Sequence, residues 1–556
     1  MFWTIIHKKT VPLQRKRCKQ QSPNHHKTKL NMSNIMKLPV GIQEFEKLRN
    51  EGYVYLDKTP LIWKMVNEGC YYFLARPRRF GKSLLMSTIQ AFFEGKKQYF
   101  DGTVGDPLFI ATDESVDWNW ECYPIMHLDL NTDKYTTKES LESRINDFLH
   151  KLEELYGTYT TEKSFGQRFE GVIERAYKQT GKQVVILVDE YDKPLLQAIG
   201  NKELQDEYRS TLKSFYGALK SKDGCIKFAF LTGVTKFGKV SVFSDMNNLE
   251  DISMSPRFID ICGITENELT TQLKPYIERL ADDNAITYDQ AVEKLRCLYD
   301  GYHFREYAKG LYNPYSVLNT LKNGIFKSYW FETGTPTYLA TLLVLHDYNL
   351  EDMAQTKVDG DILNSVDSES TNPIPVIYQS GYLTIKDYDE EFKQYKLGFP
   401  NKEVEEGFIK FLIPYYLTHK KASTAFDISQ YVQDLRQGKV EQFILRIKSL
   451  FADTPYELIK DLENHYQNQV WLLHKLLGMY VQAEYHTSDG RIDMVLQTPK
   501  FCYVIEFKFD GSAQDALDQI SRKDYTLPFA LSGQQVIRIG MNISRETRNV
   551  EDYKID

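Results

Sequence analysis

Among seven cysteines (18, 70, 122, 225, 262, 297 and 502) this 556-residue chain has no C-x-x-C pair. That spacing excludes a zinc ribbon and a disulfide-stapled module, and it points to a reducing compartment. No apolar run approaches the roughly 20 residues of a membrane span. A strong charge of either sign is missing too: 69 basic against 76 acidic residues leave a formal net charge of −7. Nothing global then draws nucleic acid, and any such binding needs a local basic patch. Internal repeats and low-complexity segments are absent. Residues 1–37 lack acid altogether yet carry nine Lys or Arg. They read as a disordered basic tail, with a nucleic-acid-binding arm as the sharper alternative and Met32 or Met36 as candidate initiators. Their apolar start is too short, and too early, for a signal peptide. The expected location is cytoplasmic.

What is present is ordinary globular composition, 42% hydrophobic and 26% charged, enough for roughly two to four domains. The chain is organised around Tyr71–Leu85, YYFLARPRRFGKSLL. Tyr71–Ala75 reads as a buried strand and the segment after Ser83 as a helix. Strand, Gly-Lys-Ser loop and helix are the context of a phosphate-binding loop. The helix start offers unpaired N–H groups and a positive dipole end to a phosphate. Gly81 and Lys82 would hold the phosphates of ATP, and the Ser83 hydroxyl would hold Mg²⁺. The first glycine of G-x-x-x-x-G-K-S is replaced by Arg76. Arg76, Arg78 and Arg79 are therefore expected to supply phosphate contacts that a Gly-rich backbone otherwise gives.

Before this loop, Pro60 suits the first turn of a helix capped by Thr59. After it, 123–130 reads as a strand, and 138–156 and 165–179 as helices. Val184–Val188 is a fully buried parallel-type strand. It ends in Asp189, expected to bind Mg²⁺ through water, and Glu190, expected to polarise the attacking water. The next strand, Ile226–Leu231, follows a helix from Lys202 to Lys220 and ends at Thr232, a candidate sensor of the γ-phosphate. Arg257 is a candidate sensor or trans-acting arginine, and the loop around it contains Phe243. Residues 263–350 read as helical, with a Thr265–Glu268 capping box and an aromatic cluster at 299–304 taken as core; His303 is taken as structural. Residues 376–385 and 395–401 read as a strand pair of winged-helix-like character, and 402–460 as a helical connector.

A second chemical site lies near the C-terminus. In FCYVIEFKFD (501–510), strand alternation puts Glu506 and Lys508 on one face. Asp493, in GRIDMVLQ (490–497), lies off the core side of the preceding strand. Asp, a dozen residues, then Glu-x-Lys is the layout of a metal-dependent phosphodiesterase. Asp493 and Glu506 would bind Mg²⁺ or Mn²⁺, and Lys508 would orient water or stabilise charge. Glu463 on the preceding helix could complete the metal shell, and Gln519 on the following one could orient Lys508 or substrate.

Together these strings resemble a known family. FLARPRRFGKS, VILVDEYDKP and LTGVTKFGKVSVFSDMNNLEDIS are similar to the AAA-ATPase-like domain of bacterial proteins. DGRIDMVL, YVIEFK and ALDQI resemble the PD-(D/E)XK nuclease domain fused to it. In that family Arg in place of the first loop Gly is usual. The resemblance implies an α/β fold: a P-loop NTPase with a RecA/AAA-like parallel sheet, a helical and winged-helix-like middle region, and a C-terminal α/β restriction-endonuclease-like domain. The expected divisions are a tail (1–37), ATPase core (38–262), helical subdomain (263–350), connector (351–460) and nuclease-like domain (461–556). It further implies an ATP-regulated nuclease acting on nucleic acid, DNA ahead of RNA, with oligomerisation left open. The alternative is a signalling or scaffold ATPase whose C-terminal domain binds nucleic acid or protein without cutting.

Overall fold

The computed structural model describes residues 35–236, 248–331, 339–340, 342–343, 348–354, 356–363, 372–416, 428–452, 462–488, 491–523, 525–530 and 532–556, without the side chains of residues 354, 361, 462, 485–488 and 491–493. The basic tail and Phe243 lie outside the described residues.

Five strands form the first sheet: β1 (Tyr71–Ala75), β2 (Ile125–Asp129), β3 (Val184–Asp189), β4 (Ile226–Gly233) and β5 (Glu250–Asp251). All pair in parallel, in the order β2-β3-β4-β1-β5. β1 and β3 are buried along their whole length, as strands covered on both faces must be. The parallel arrangement brings the chain out of β1, β3 and β4 at one edge of the sheet, where ligands of such sheets lie. The Lys138–Tyr156, Phe165–Thr180 and Lys202–Ser221 helices match their sequence patterns closely. They pack through Phe148, Phe169 and Phe215, the last two stacked at 4.6 Å.

The helix Thr59–Glu68 carries a correction. Its cap is Asp57, whose Oδ1 accepts the Thr59 N–H at 2.8 Å, not Thr59. The other oxygen of Asp57 accepts the Phe109 N–H at 2.8 Å, at the start of a second short helix. One carboxylate thus satisfies orphan donors of two helices.

The middle region contains helices Glu266–Thr271, Lys274–Asp283, Tyr288–Tyr299 and Pro314–Asn323, the first with the expected capping box at Thr265 and Glu268. His303 is held by Thr384 and the Ile385 carbonyl, and burial lowers its pKa. Residues 376–385 are not one strand. Ile374–Gln379 is helical, because Pro375 sits in its first turn where a missing N–H costs nothing. The strands are β6 (Lys357–Asp359), β7 (Thr384–Asp389) and β8 (Gln394–Gly398), antiparallel in the order β6-β8-β7. Helices Lys402–Tyr416, Ile428–Gln437 and Val440–Ala452 follow.

The C-terminal sheet has the order β13-β12-β11-β10-β9, with β9 (Gln482–Ser488), β10 (Arg491–Gln497), β11 (Phe501–Phe509), β12 (Gln535–Ser544) and β13 (Asn549–Ile555). Only β11 and β12 are parallel, joined across the helix Ala513–Arg522. That helix lies so close to β12 that a Cβ on Gly540 would fall 2.3 Å from the Ala513 carbonyl oxygen. The helix Leu462–Gly478 covers the other face and reaches the middle region through buried amides. Asn468 accepts the Leu350 N–H and donates to the Tyr348 carbonyl, and Gln469 donates to the Tyr416 carbonyl at 2.7 Å. One contiguous hydrophobic cluster runs from the parallel sheet through the middle region to this helix. Among the described residues no helix is long and apolar enough to cross a membrane.

His465 on the same helix is buried beside the Tyr416 ring, and burial lowers its pKa to about 4. Above pH 6.5 the imidazole is neutral in folded and unfolded chains alike, so its burial costs least there. As pH falls toward 4 the unfolded chain takes a proton that the folded one does not, and stability is lost, by up to about 3 kcal/mol. His465→Phe keeps the ring contact and should flatten this part of a denaturant-melt profile between pH 7 and 4.5. Parallel wild-type and variant profiles would contradict the assignment.

Candidate active sites

The loop after β1 is built from anchors that point inward and groups that face a cavity. Arg76 is an inward anchor, which corrects its expected role as a phosphate ligand. Its guanidinium is 1% exposed and donates to the carbonyls of Ala75 (3.0 Å), Ser253 (2.7 Å) and Ile259 (3.2 Å). It also lies 4.1 Å over the Phe304 ring, a contact worth about 2 kcal/mol when desolvated. Phe80 is the second anchor, buried edge-to-face against Tyr302 (4.8 Å) and Phe304 (5.5 Å). The 299–304 aromatics thus form the back wall of the loop. Between the anchors, the Arg78 carbonyl accepts from the Trp330 indole at 3.2 Å.

Gly381 completes this clamp. Its φ is +87°, and a Cβ there would meet Pro77 Cβ at 2.6 Å. Gly381→Ala combines left-handed strain with a push on the loop. It should weaken ATP binding about tenfold and lower stability by about 1–3 kcal/mol. Titration with a fluorescent ATP analogue measures the first effect, and unchanged affinity would show the clamp to be irrelevant to the loop.

Arg78 and Arg79 remain exposed, and the Arg79 guanidinium lies 4.6 Å over Tyr315. Gly81, at φ +92°, turns the chain into the Lys82–Phe93 helix. The Lys82 ammonium donates to the Arg76 and Pro77 carbonyls (3.1 and 3.4 Å) and pairs with Glu190 at 3.2 Å. Ser83 donates to one oxygen of Asp189 at 2.7 Å, and Thr232 to the other at 2.5 Å. Thr232 stands at the end of β4, between β1 and β3. Glu190 adopts φ +54°, a left-handed backbone that costs a non-glycine residue of order 1–3 kcal/mol. Its neighbours hold it there. The Tyr191 N–H donates to the Thr232 carbonyl, and buried Asp192 accepts from the Val234 and Thr235 amides and the Thr235 hydroxyl. Burial, then the Glu190 charge, pushes the Asp192 pKa up to about 6.

A cavity of about 330 Å³ opens on Gly81, Lys82, Ser83 and Glu190. Val40, Ile42, Gln43, Tyr315 and Leu318 also line it. Sequence reasoning missed these residues, along with Asp192 and Lys193. The second acid of Asp-Glu-Tyr-Asp was the available signal for Asp192. Lys193 donates to Asn131 at the cavity rim. Arg257 is not brought to this cavity. It is exposed and paired with Glu68 and Glu250.

In the C-terminal sheet, Glu506 lies in the middle of β11 with 0% exposure. Lys508 Nζ is 3.1 Å from its Oε1 and also donates to Gln519 Oε1. The register sets Asp493 directly opposite Glu506, so the two positions share a face. The Asp493 side chain lies outside the described ones. Asn542, not foreseen, stands opposite Lys508 on β12 and accepts the Gly511 N–H. Glu463 pairs with Arg545 at 2.5 Å, and Arg545 also reaches Asp510. No contact between Glu463 and Glu506 or Lys508 is among those the structure gives. Among the described side chains no group of three or more His, Cys, Asp or Glu could hold a metal.

A parallel sheet with a Gly-Lys-Ser loop on one strand and Asp-Glu on another defines a P-loop nucleoside-triphosphatase fold. The mixed sheet with Glu-x-Lys opposite an Asp defines a nuclease-like second fold. Residues 39–243 match the family model described as "Predicted AAA-ATPase", and residues 461–553 match the PD-(D/E)XK nuclease superfamily. The chain is 32% identical over 531 residues to "Uncharacterized protein in vnfD 5'region" of Azotobacter chroococcum mcd 1, covering 94% of this chain and 99% of that protein. The chain belongs to this family of AAA-ATPase-like proteins with a C-terminal PD-(D/E)XK nuclease-superfamily domain.

Proposed function

We propose that the protein binds and hydrolyses ATP in its N-terminal core and that the nucleotide state controls metal-dependent cleavage of nucleic acid, DNA ahead of RNA, by its C-terminal domain. The observation that carries the reading is that both constellations are set in one packed body. The middle region clamps the phosphate loop through Trp330 and Gly381 and grips the nuclease helix through Asn468 and Gln469.

At the first site, the helix N-terminus and Lys82 fit the phosphates. The apolar walls from Val40, Ile42 and Leu318 suit a base. The touching hydroxyl and carboxylate of Ser83 and Asp189 are the hard oxygen donors Mg²⁺ takes. Glu190 is held where it can orient water, and Thr232 can report on the γ-phosphate through Asp189.

At the second site, a wholly buried carboxylate at Glu506 requires compensating positive charge, and Lys508 supplies one. Asp493 and Glu506 would hold Mg²⁺ or Mn²⁺. When bound, such an ion supplies a Lewis acid and a more acidic water. Lys508, steadied by Gln519, offers its ammonium to the developing charge on phosphate.

A second reading, an ATP-dependent scaffold that binds without cutting, is favoured by the net charge of −7. The thin basic set around the sheet supports it too: Arg538, one of its members, is tied to Asp556 and Ser521. The deciding experiment incubates the full chain with DNA or RNA and Mg²⁺ or Mn²⁺, with and without ATP. Cleavage that depends on Glu506 and responds to ATP supports the first reading. Retention of nucleic acid without turnover supports the second.

A further inference from the structure

One transverse row of the C-terminal sheet contains more chemistry than the Asp and Glu-x-Lys pattern. Asp493 on β10 pairs with Glu506 on β11 to one side and with His486 on β9 to the other. Both pairings are antiparallel, and directly opposed residues of such a pair share a face. Adjacent strands lie about 4.8 Å apart. His486, Asp493 and Glu506 therefore occupy consecutive positions of one row. The next position in that row, on β12, is Gly540, which brings no side chain.

The register rests on two observations that agree. Ser488 pairs with Arg491, so only Asp489 and Gly490 separate the strands. Asp-Gly is the residue pair that two-residue hairpins prefer. A slip of one residue would move His486 to the opposite face, and a two-residue connection leaves little freedom for it.

We propose that His486 is a third protein ligand of the divalent cation held by Asp493 and Glu506, and that it biases the site toward Mn²⁺ over Mg²⁺. The inference rests on the nuclease-site reading and deepens it. Two carboxylates alone suit a hard cation that keeps its waters, such as Mg²⁺. An imidazole nitrogen adds a donor that first-row transition ions accept and Mg²⁺ scarcely does. β9 is the edge of the sheet, so an ion in this row reaches solvent and substrate from the β9 side.

The test is binding, without nucleotide, of Mn²⁺ and of Mg²⁺ to the full chain, its His486→Gln and His486→Ala variants, and Glu506→Gln. Calorimetry reads affinity, and pulsed paramagnetic resonance of bound Mn²⁺ reads ¹⁴N coupling from a coordinated imidazole. The expected result is a Mn²⁺ site abolished by Glu506→Gln. In wild type it shows nitrogen coupling. Both His486 variants lose the coupling and bind Mn²⁺ about 10–100-fold more weakly, while Mg²⁺ affinity changes less than about threefold. Glu506-dependent Mn²⁺ binding without nitrogen coupling, or with unchanged affinity in both variants, overturns the third ligand and leaves the metal site standing. Absence of any Glu506-dependent Mn²⁺ binding overturns the nuclease-site reading, and this proposal with it. Unfolding midpoints equal to wild type in either His486 variant separate ligand loss from misfolding.

Discussion

Glu190→Gln should leave ATP bound and lower its turnover by at least about 100-fold, some 3 kcal/mol of transition-state stabilisation. The amide keeps the volume of the carboxylate and leaves the local scaffold intact. The Tyr191 amide still meets the Thr232 carbonyl, and Asp192 still grips residues 234 and 235. What disappears is the anion that can polarise water, together with the 3.2 Å pair to Lys82. Lys82→Ala makes the contrast, because it removes the ammonium at the phosphates and should abolish binding itself. Nucleotide affinity and steady-state phosphate release, measured on both variants, separate the two roles. Wild-type turnover in the Glu190 variant would move the water-orienting group elsewhere. Wild-type affinity in the Lys82 variant would remove the loop from the nucleotide site.

The second large effect concerns Glu506 and Lys508. Loss of either should reduce nucleic-acid cleavage by about 10³-fold, roughly 4 kcal/mol. The two act as a unit, so the double variant should be little worse than either single one. Stability should follow a different pattern. Glu506 is fully buried and Lys508 largely so, and removing one member of a buried pair strands the charge of the other, at a cost of about 3–5 kcal/mol. Replacing both, for instance Glu506→Gln with Lys508→Met, should therefore recover part of the stability while activity stays lost. Thermal melts alongside a cleavage assay make the comparison. Cleavage that persists in the double variant would dismiss this site as the nuclease centre.

The parts of this fold legible in sequence were those fixed by local periodicity. Five apolar residues from Val184 to Val188 can be little else than a buried strand, and the 2.0 period at 501–510 put Glu506 beside Lys508. Tertiary partners decided what was misread. Arg76 looked like a phosphate ligand because its acceptors, Ser253 and Ile259, lie about 180 residues away. Val376, Ile377 and Tyr378 have strand propensity, but Pro375 starts a helix there. Glu463 has the spacing of a metal ligand, while its partner Arg545 comes from beyond the last residue that spacing could address. The cavity wall from Val40 to Gln43 carried no motif at all.

Because the loop at 76–83 leans on Tyr302, Phe304, Trp330 and Gly381, the smallest portable ATP-binding fragment is larger than its motifs. Cutting the chain at 262 would keep every residue that names the nucleotide site and discard the wall that shapes it. Arg76 would then lose Phe304 from its stack, and Phe80 would face water. Shuffling this core onto a different effector therefore means carrying the residues up to Gly381 with it, which binds the history of the nucleotide site to that of the middle region.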